Sequence, residues 1–187
     1  MTRGEDQHVT YAHYKDWELA EGERYELING IAYAMSAPQA YHQSILLALG
    51  AAFYHFFKDK PCKVYIAPYD VRLFYEEDES DDTVVQPDLT VVCDEKKRGD
   101  EGCRGAPDLV VEILSPSNTA IEMARKFDLY RRAGVREYWV VNSAPQGLLA
   151  YRFLDGRILT QAYGPADITE AGIFPGLVIS LESIFAK

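Results

Sequence analysis

Hydrophobic positions along the chain follow two periods. Ile45, Leu49, Phe53 and Phe56 recur every three or four residues, which predicts a helix over roughly 42–58 with one apolar face. Short apolar runs follow Asp88 and Asp108, and another covers 137–141; their length and β-branched content predict strands. The second of these, Leu109-Val110-Val111-Glu112-Ile113-Leu114, is apolar on both faces except at Glu112, the pattern of a central strand. Asn29-Gly30 predicts a hairpin between residues 25–28 and 31–35, and Asp155-Gly156 a second between 148–153 and 157–163. Thr119-Ala120-Ile121-Glu122 reads as a capping box opening a helix that stops at Gly134. A first helix is expected over 10–20, with Thr10 as its N-cap. A strand is expected over 63–74, interrupted at Pro68, a loop over 94–106, and a last short strand near 174–179. Strands mixed with three helices predict an α/β (α+β) domain built on a mixed sheet.

Composition narrows this picture. The 187 residues suit one domain spanning 1–187, and 48% hydrophobic residues supply a sizeable core. No apolar run approaches the roughly 20 residues of a membrane span, and the N-terminus lacks a signal-peptide apolar region. Three cysteines, Cys62, Cys93 and Cys103, without CxxC spacing fit a reducing compartment, so a cytoplasmic protein is expected, and they argue against a zinc ribbon. The net charge of -10 opposes non-specific binding to nucleic acid, although a bound divalent cation inverts the local field. Much of that charge lies in Glu76-Glu77-Asp78-Glu79-Ser80-Asp81-Asp82, expected to be a solvated mobile loop.

The candidate chemistry centres on Asp88, Glu112 and Lys126. A buried carboxylate costs several kcal/mol unless neutralised, so two on neighbouring strands point to a shared cation. Strand alternation places Glu112 on the face of Val110 and Leu114. Helical phase places Lys126 beside the Met123, Phe127 and Tyr130 stripe, so it reaches inward while Arg125 and Arg132 point away. Taken alone, Asp88 reads equally as a strand-end turn cap, Glu112 as half of a buried ion pair, and Lys126 as a snorkelling surface lysine. Glu26 reads as an exposed strand residue, His42 as a helix cap or surface histidine, and Asp70 as a partner of Arg72 or Arg24. Asp108 is expected to be a turn residue. No Walker loop, HExxH, GxSxG or GxGxxG is present.

Gln86-Pro87-Asp88-Leu89, the run from Pro107 through Glu112 to Ser115-Pro116-Ser117, and Lys126-Phe127-Asp128-Leu129-Tyr130 form an ordered set that resembles the Uma-type endonuclease family of the PD-(D/E)XK restriction-endonuclease-like superfamily. The resemblance covers nearly the whole chain. It implies a restriction-endonuclease-like central mixed β-sheet flanked by helices, with added hairpins. It also implies a phosphodiester-hydrolysing site in which Asp88 and Glu112 hold Mg²⁺ or Mn²⁺, with Glu26 as a further acid. The superfamily's lysine usually stands two residues past the second acid. That position is Leu114 here, and the resemblance places the lysine at Lys126 instead. Tyr130, His42 and Asp70 are expected only as supporting residues, and Asn142 stands where similar sequences often carry an aspartate. The implied partner is nucleic acid, DNA ahead of RNA, bound weakly. A homodimer through the 148–163 hairpin is also implied. The acidic surface leaves a second reading open, a catalytically silent or regulatory binding protein on the same fold. A two-carboxylate glycosidase is a third, which an inward Lys126 fits poorly.

Overall fold

The computed structural model describes residues 2–3, 8–115 and 118–186, so Pro116 and Ser117 of the quoted motif and most of the first seven residues lie outside it. In chain order the elements begin with β1 (Thr2–Arg3), α1 (Tyr11–Tyr14), β2 (Tyr25–Ile28), β3 (Ile31–Ala34), α2 (Ala40–Phe57), β4 (Lys63–Ile66), β5 (Val71–Arg72), β6 (Val84–Val85) and β7 (Leu89–Val92). They continue with a 3-10 turn (Glu95–Lys97), β8 (Arg98–Gly99), β9 (Gly102–Arg104), β10 (Leu109–Leu114), α3 (Ala120–Ala133) and β11 (Glu137–Asn142). The chain closes with β12 (Gly147–Leu154), β13 (Arg157–Tyr163), β14 (Ile168–Glu170), β15 (Val178–Ser180) and α4 (Leu181–Phe185).

The central sheet runs β13-β12-β11-β10-β7-β4, with β10 and β11 parallel and the remaining pairs antiparallel. Its strands separate two cores. Leu109, Val111 and Ile113 share one core with Ile45, Leu49 and Phe53 of α2, together with Leu181 and Ile184 of α4. Val110 belongs to the other, with Leu129 and Tyr130 of α3 and Tyr138 of β11. Because side chains alternate along β10, Glu112 stands on the α3 side. A second sheet, β1-β3-β2-β6-β5-β9-β8, carries Glu26 on β2. The chain passes from β6 of that sheet through Gln86, Pro87 and Asp88 into β7 of the central one. This link is what brings acids from both sheets to one place.

Both predicted hairpins form, with Asn29 and Gly30 at φ 49° and 76° and Asp155 and Gly156 at φ 47° and 75°. The capping box on α3 is complete, and Gly134 ends the helix in the left-handed conformation at φ 92°. The expected helix over 10–20 is one turn only, and Leu19 is exposed. Residues 63–74 are not one strand: the chain leaves the central sheet after Ile66 and β5 joins the other sheet, with Pro68 in the gap. Residues 94–106, expected as a loop, contain the 3-10 turn and the β8–β9 pair.

The acidic run also departs from expectation. Asp81 is buried; Arg72 Nε donates to its Oδ2 at 2.9 Å and Nη2 to its Oδ1, while Lys15 holds Glu79 at 2.7 Å. A buried ion pair and a backbone bond from Tyr11 N to Asp81 O at 2.7 Å anchor the segment to the body. The cysteine reading is corrected too. The register Lys63↔Val92 sets Cys62 opposite Cys93 across the β4–β7 ladder, and a disulfide joins them, leaving Cys103 as a buried free thiol.

Candidate active site

Glu112, Glu26, Lys126 and Tyr130 form one contact cluster. Lys126 Nζ donates to Glu112 Oε1 at 2.8 Å and to Glu26 Oε1 at 2.9 Å. Tyr130 Oη donates to the same Glu112 oxygen at 2.5 Å. Tyr130 lies one helical turn after Lys126, so both reach β10 from the same side of α3. The expected exposure of Glu26 is overturned: it is buried and also accepts the Gln86 backbone N–H at 3.0 Å. An ammonium and an amide on its Oε1 offset part of the cost of that burial.

Asp88 stands where the chain enters β7. Its Oδ2 accepts the Ile113 N–H at 2.7 Å and lies 3.2 Å from His42 Nε2. His42, on the first turns of α2, is buried rather than a cap or surface residue. Asp88, Glu112 and His42 line one cavity of about 350 Å³. Asp70 does not pair with Arg72 or Arg24. It accepts from Gln86 Nε2 at 2.8 Å, so Gln86 links Asp70 to Glu26 behind the cavity. Gln86 was recognisable only as part of a motif, and nothing in its spacing signalled this bridging. Asp108 is a turn residue as expected, accepting from Cys93 N at 2.8 Å and paired with Arg136 at 3.1 Å.

The electrostatics follow from one ammonium serving two carboxylates. Burial pushes the Glu112 carboxyl up to about 7; the Lys126 ammonium pulls it down, but the charges of Glu26 and Asp88 add to the rise. Burial alone would lower Lys126, yet the charges of Glu112 and Glu26 more than offset it and hold it well above the ordinary lysine value. Lys126 is therefore a fixed cation. Burial and the Glu112 charge raise Tyr130, keeping it a neutral donor. His42 is lowered by burial but raised further by its hydrogen bond and charge contact with Asp88, for a net rise.

No group of three or more His, Cys, Asp or Glu with metal-holding geometry occurs among the described residues. The donor chemistry is nevertheless that of a hard divalent cation. Asp88 Oδ1 and Glu112 Oε2 accept no hydrogen bond among the described residues, and both residues face the same cavity. Mg²⁺ typically takes one or two carboxylates directly and keeps several waters, a pattern this pair of oxygens fits.

A central mixed sheet with helices on both faces, and an Asp, a Glu and a Lys gathered where it meets a second sheet, defines the restriction-endonuclease-like class of fold. The chain belongs to the Uma2 family, described as "Putative restriction endonuclease", which matches residues 11–182. It is similar to an uncharacterised protein of Synechocystis sp. (slr1290), 28% identical over 159 residues that cover 84% of this chain and 81% of the relative. It also superposes on the crystal structure of a protein from Anabaena variabilis described as a putative nuclease belonging to DUF820. That match has a TM-score of 0.74 and 19% identity, and covers 95% of this chain and 97% of the other. Among the described residues, no helix is long and apolar enough to cross a membrane.

Proposed function

We propose that the protein is a metal-dependent nuclease hydrolysing phosphodiester bonds of nucleic acid, DNA ahead of RNA, with Asp88 and Glu112 holding Mg²⁺ or Mn²⁺. The observation that carries this reading is the cluster itself. Two carboxylates that line one cavity each keep one oxygen without a hydrogen bond among the described residues, and a permanently charged lysine contacts one of them. Family membership and the description of the Anabaena relative support the reaction class.

When bound, the divalent ion supplies Lewis-acid stabilisation of the phosphate and lowers the pKa of an attacking water. The chain's own residues prepare the rest. His42 and the Ile113 amide fix Asp88 through Oδ2, which leaves Oδ1 without a hydrogen bond among the described residues. Tyr130 and Lys126 fix Glu112 through Oε1, which leaves Oε2 likewise without one. A water oxygen bonds to phosphorus and the bond from phosphorus to the leaving sugar oxygen breaks. The proton lost by the water leaves to solvent, and the leaving oxygen takes one up. Lys126, always an ammonium here, offsets the charge that gathers on the phosphoryl oxygens rather than acting as a base. Glu26 is a positioning residue for Lys126. A homodimer through the β12–β13 hairpin belongs to the same proposal.

The net charge of -10 favours the second reading, a silent binding protein. Incubating labelled DNA and RNA oligonucleotides with Mg²⁺, Mn²⁺ or EDTA, beside an Asp88→Ala, Glu112→Ala double variant, separates the two. Metal-dependent cleavage lost in the double variant is expected. No cleavage by the wild-type chain under any metal would leave the silent reading.

A further inference from the structure

The same cavity carries two cations that the cluster does not use. Arg24 and Arg125 both line it, and the side chain of neither makes an ion pair or hydrogen bond among the described residues. Arg72, Arg131, Arg132 and Arg136 find carboxylates away from the cavity. Of the acids at the cavity, Glu26 and Glu112 are taken by Lys126, and the Glu122 carboxylate accepts the Thr119 N–H in the capping box.

Arg125 is also placed. Its guanidinium carbon lies 4.6 Å from the centre of the Tyr33 ring. Tyr33 is the register partner of Glu26 across the β2–β3 hairpin, so the two stand on one face of it. Arg125 precedes Lys126 on α3. A half-buried aromatic carrying a guanidinium therefore stands one residue from the reacting cluster. Ile28, Met35 and Pro38 add apolar wall to the same cavity.

We propose that Arg24, Arg125 and Tyr33 form a subsite for the nucleotide flanking the scissile phosphate, and that the subsite selects an unpaired strand over a duplex. This rests on the reading of the cleft as a phosphodiesterase site. The two guanidinium forks match phosphate geometry. The Tyr33–Arg125 stack offers a base its flat face, as platforms for single strands do. A base inside a duplex is covered by its neighbours and does not enter a cavity of about 350 Å³. Duplex binding also draws on many phosphate contacts, whereas among the described residues this acidic chain brings only Arg24 and Arg125 to the cleft as cations without a carboxylate.

The test is fluorescence anisotropy of the full wild-type chain in Ca²⁺. The probes are an oligothymidylate of about eight nucleotides and a blunt hairpin duplex, each checked by gel for integrity. The expected result is binding of the single strand about tenfold tighter than the hairpin. Arg24→Ala and Arg125→Ala should each weaken it several-fold and lower the log–log salt slope by about 0.7. Arg125→Lys should not restore the stack, and Tyr33→Phe should bind better than Tyr33→Ala. Equal or tighter duplex binding would overturn the proposal, as would unchanged affinity and slope in both arginine variants. Arginine-dependent binding without cleavage would sink the nuclease reading and keep the subsite. Cleavage indifferent to both arginines would do the reverse.

Discussion

Lys126→Met is the most informative single change in the fold, because it keeps the length of the stem and removes one buried charge. The wild-type Lys126 side chain is 19% exposed, and the Glu26 and Glu112 side chains that its ammonium contacts are 8% and 11% exposed. Removing one member of a buried ion network leaves the others uncompensated, at about 3–5 kcal/mol. With a urea m-value of about 2–3 kcal/mol per M, the unfolding midpoint falls by about 1–2.5 M at pH 8 in EDTA. The pH dependence has a definite sign. Glu112 is already raised to about 7 in the folded chain, chiefly by burial. Without the ammonium, burial and the charges of Glu26 and Asp88 act unopposed by it and raise the carboxyl further. A carboxyl with a raised folded pKa contributes stability that is complete below its unfolded value and lost as pH rises through the folded one. The Met variant should therefore approach wild type near pH 5 and show its full loss by pH 8. Adding Glu112→Gln should restore part of the loss, with a coupling of about 1–3 kcal/mol. A midpoint shift below about 0.5 M at pH 8, or a larger loss at pH 5 than at pH 8, would refute the buried-cation argument.

Other consequences follow from the same contacts. Lys126→Ala should lower kcat by about 100-fold or more, a larger factor than its effect on the Mn²⁺ Kd, measured by single-turnover cleavage beside calorimetry. Asp81→Ala strands the Arg72 guanidinium and should cost about 3–5 kcal/mol in urea unfolding, with earlier proteolysis near residues 76–82. The Cys62–Cys93 disulfide closes a loop of sequence separation 31, so Cys62→Ser with Cys93→Ser, or reduction of the wild type, should lower stability by about 3–4 kcal/mol.

The central strands, both hairpins and the helix over 40–57 were legible because each rests on a local signal: apolar periodicity, an Asn-Gly or Asp-Gly turn, a capping box. The facing of Glu112 and Lys126 was legible for the same reason, since one alternates along β10 and the other follows the phase of α3. What the residues alone misjudged depends on long-range pairing. Glu26 read as exposed because alternation cannot tell a solvent face from one covered by Lys126, 100 residues away. His42 read as a surface cap because its partner, Asp88, is 46 residues distant. The acidic run looked mobile because a lone charge run carries no sign of the Arg72 that buries Asp81. Cys62 and Cys93 became a pair only once the β4–β7 register was known. Arg125 was placed toward solvent by helical phase, and only the β2–β3 hairpin folding over α3 turns that face into the wall of a cavity.

The central claim is that Asp88 and Glu112 share one divalent ion, and Mn²⁺ titration calorimetry of the wild-type chain beside Asp88→Asn and Glu112→Gln tests it most directly. The account predicts one site per chain in the wild type, weakened at least about tenfold (roughly 1.4 kcal/mol) in each variant. It also predicts that the two losses are not additive in the double variant, because both acids serve one ion. No binding heat in a folded wild-type chain would contradict it, and so would a site that survives both substitutions.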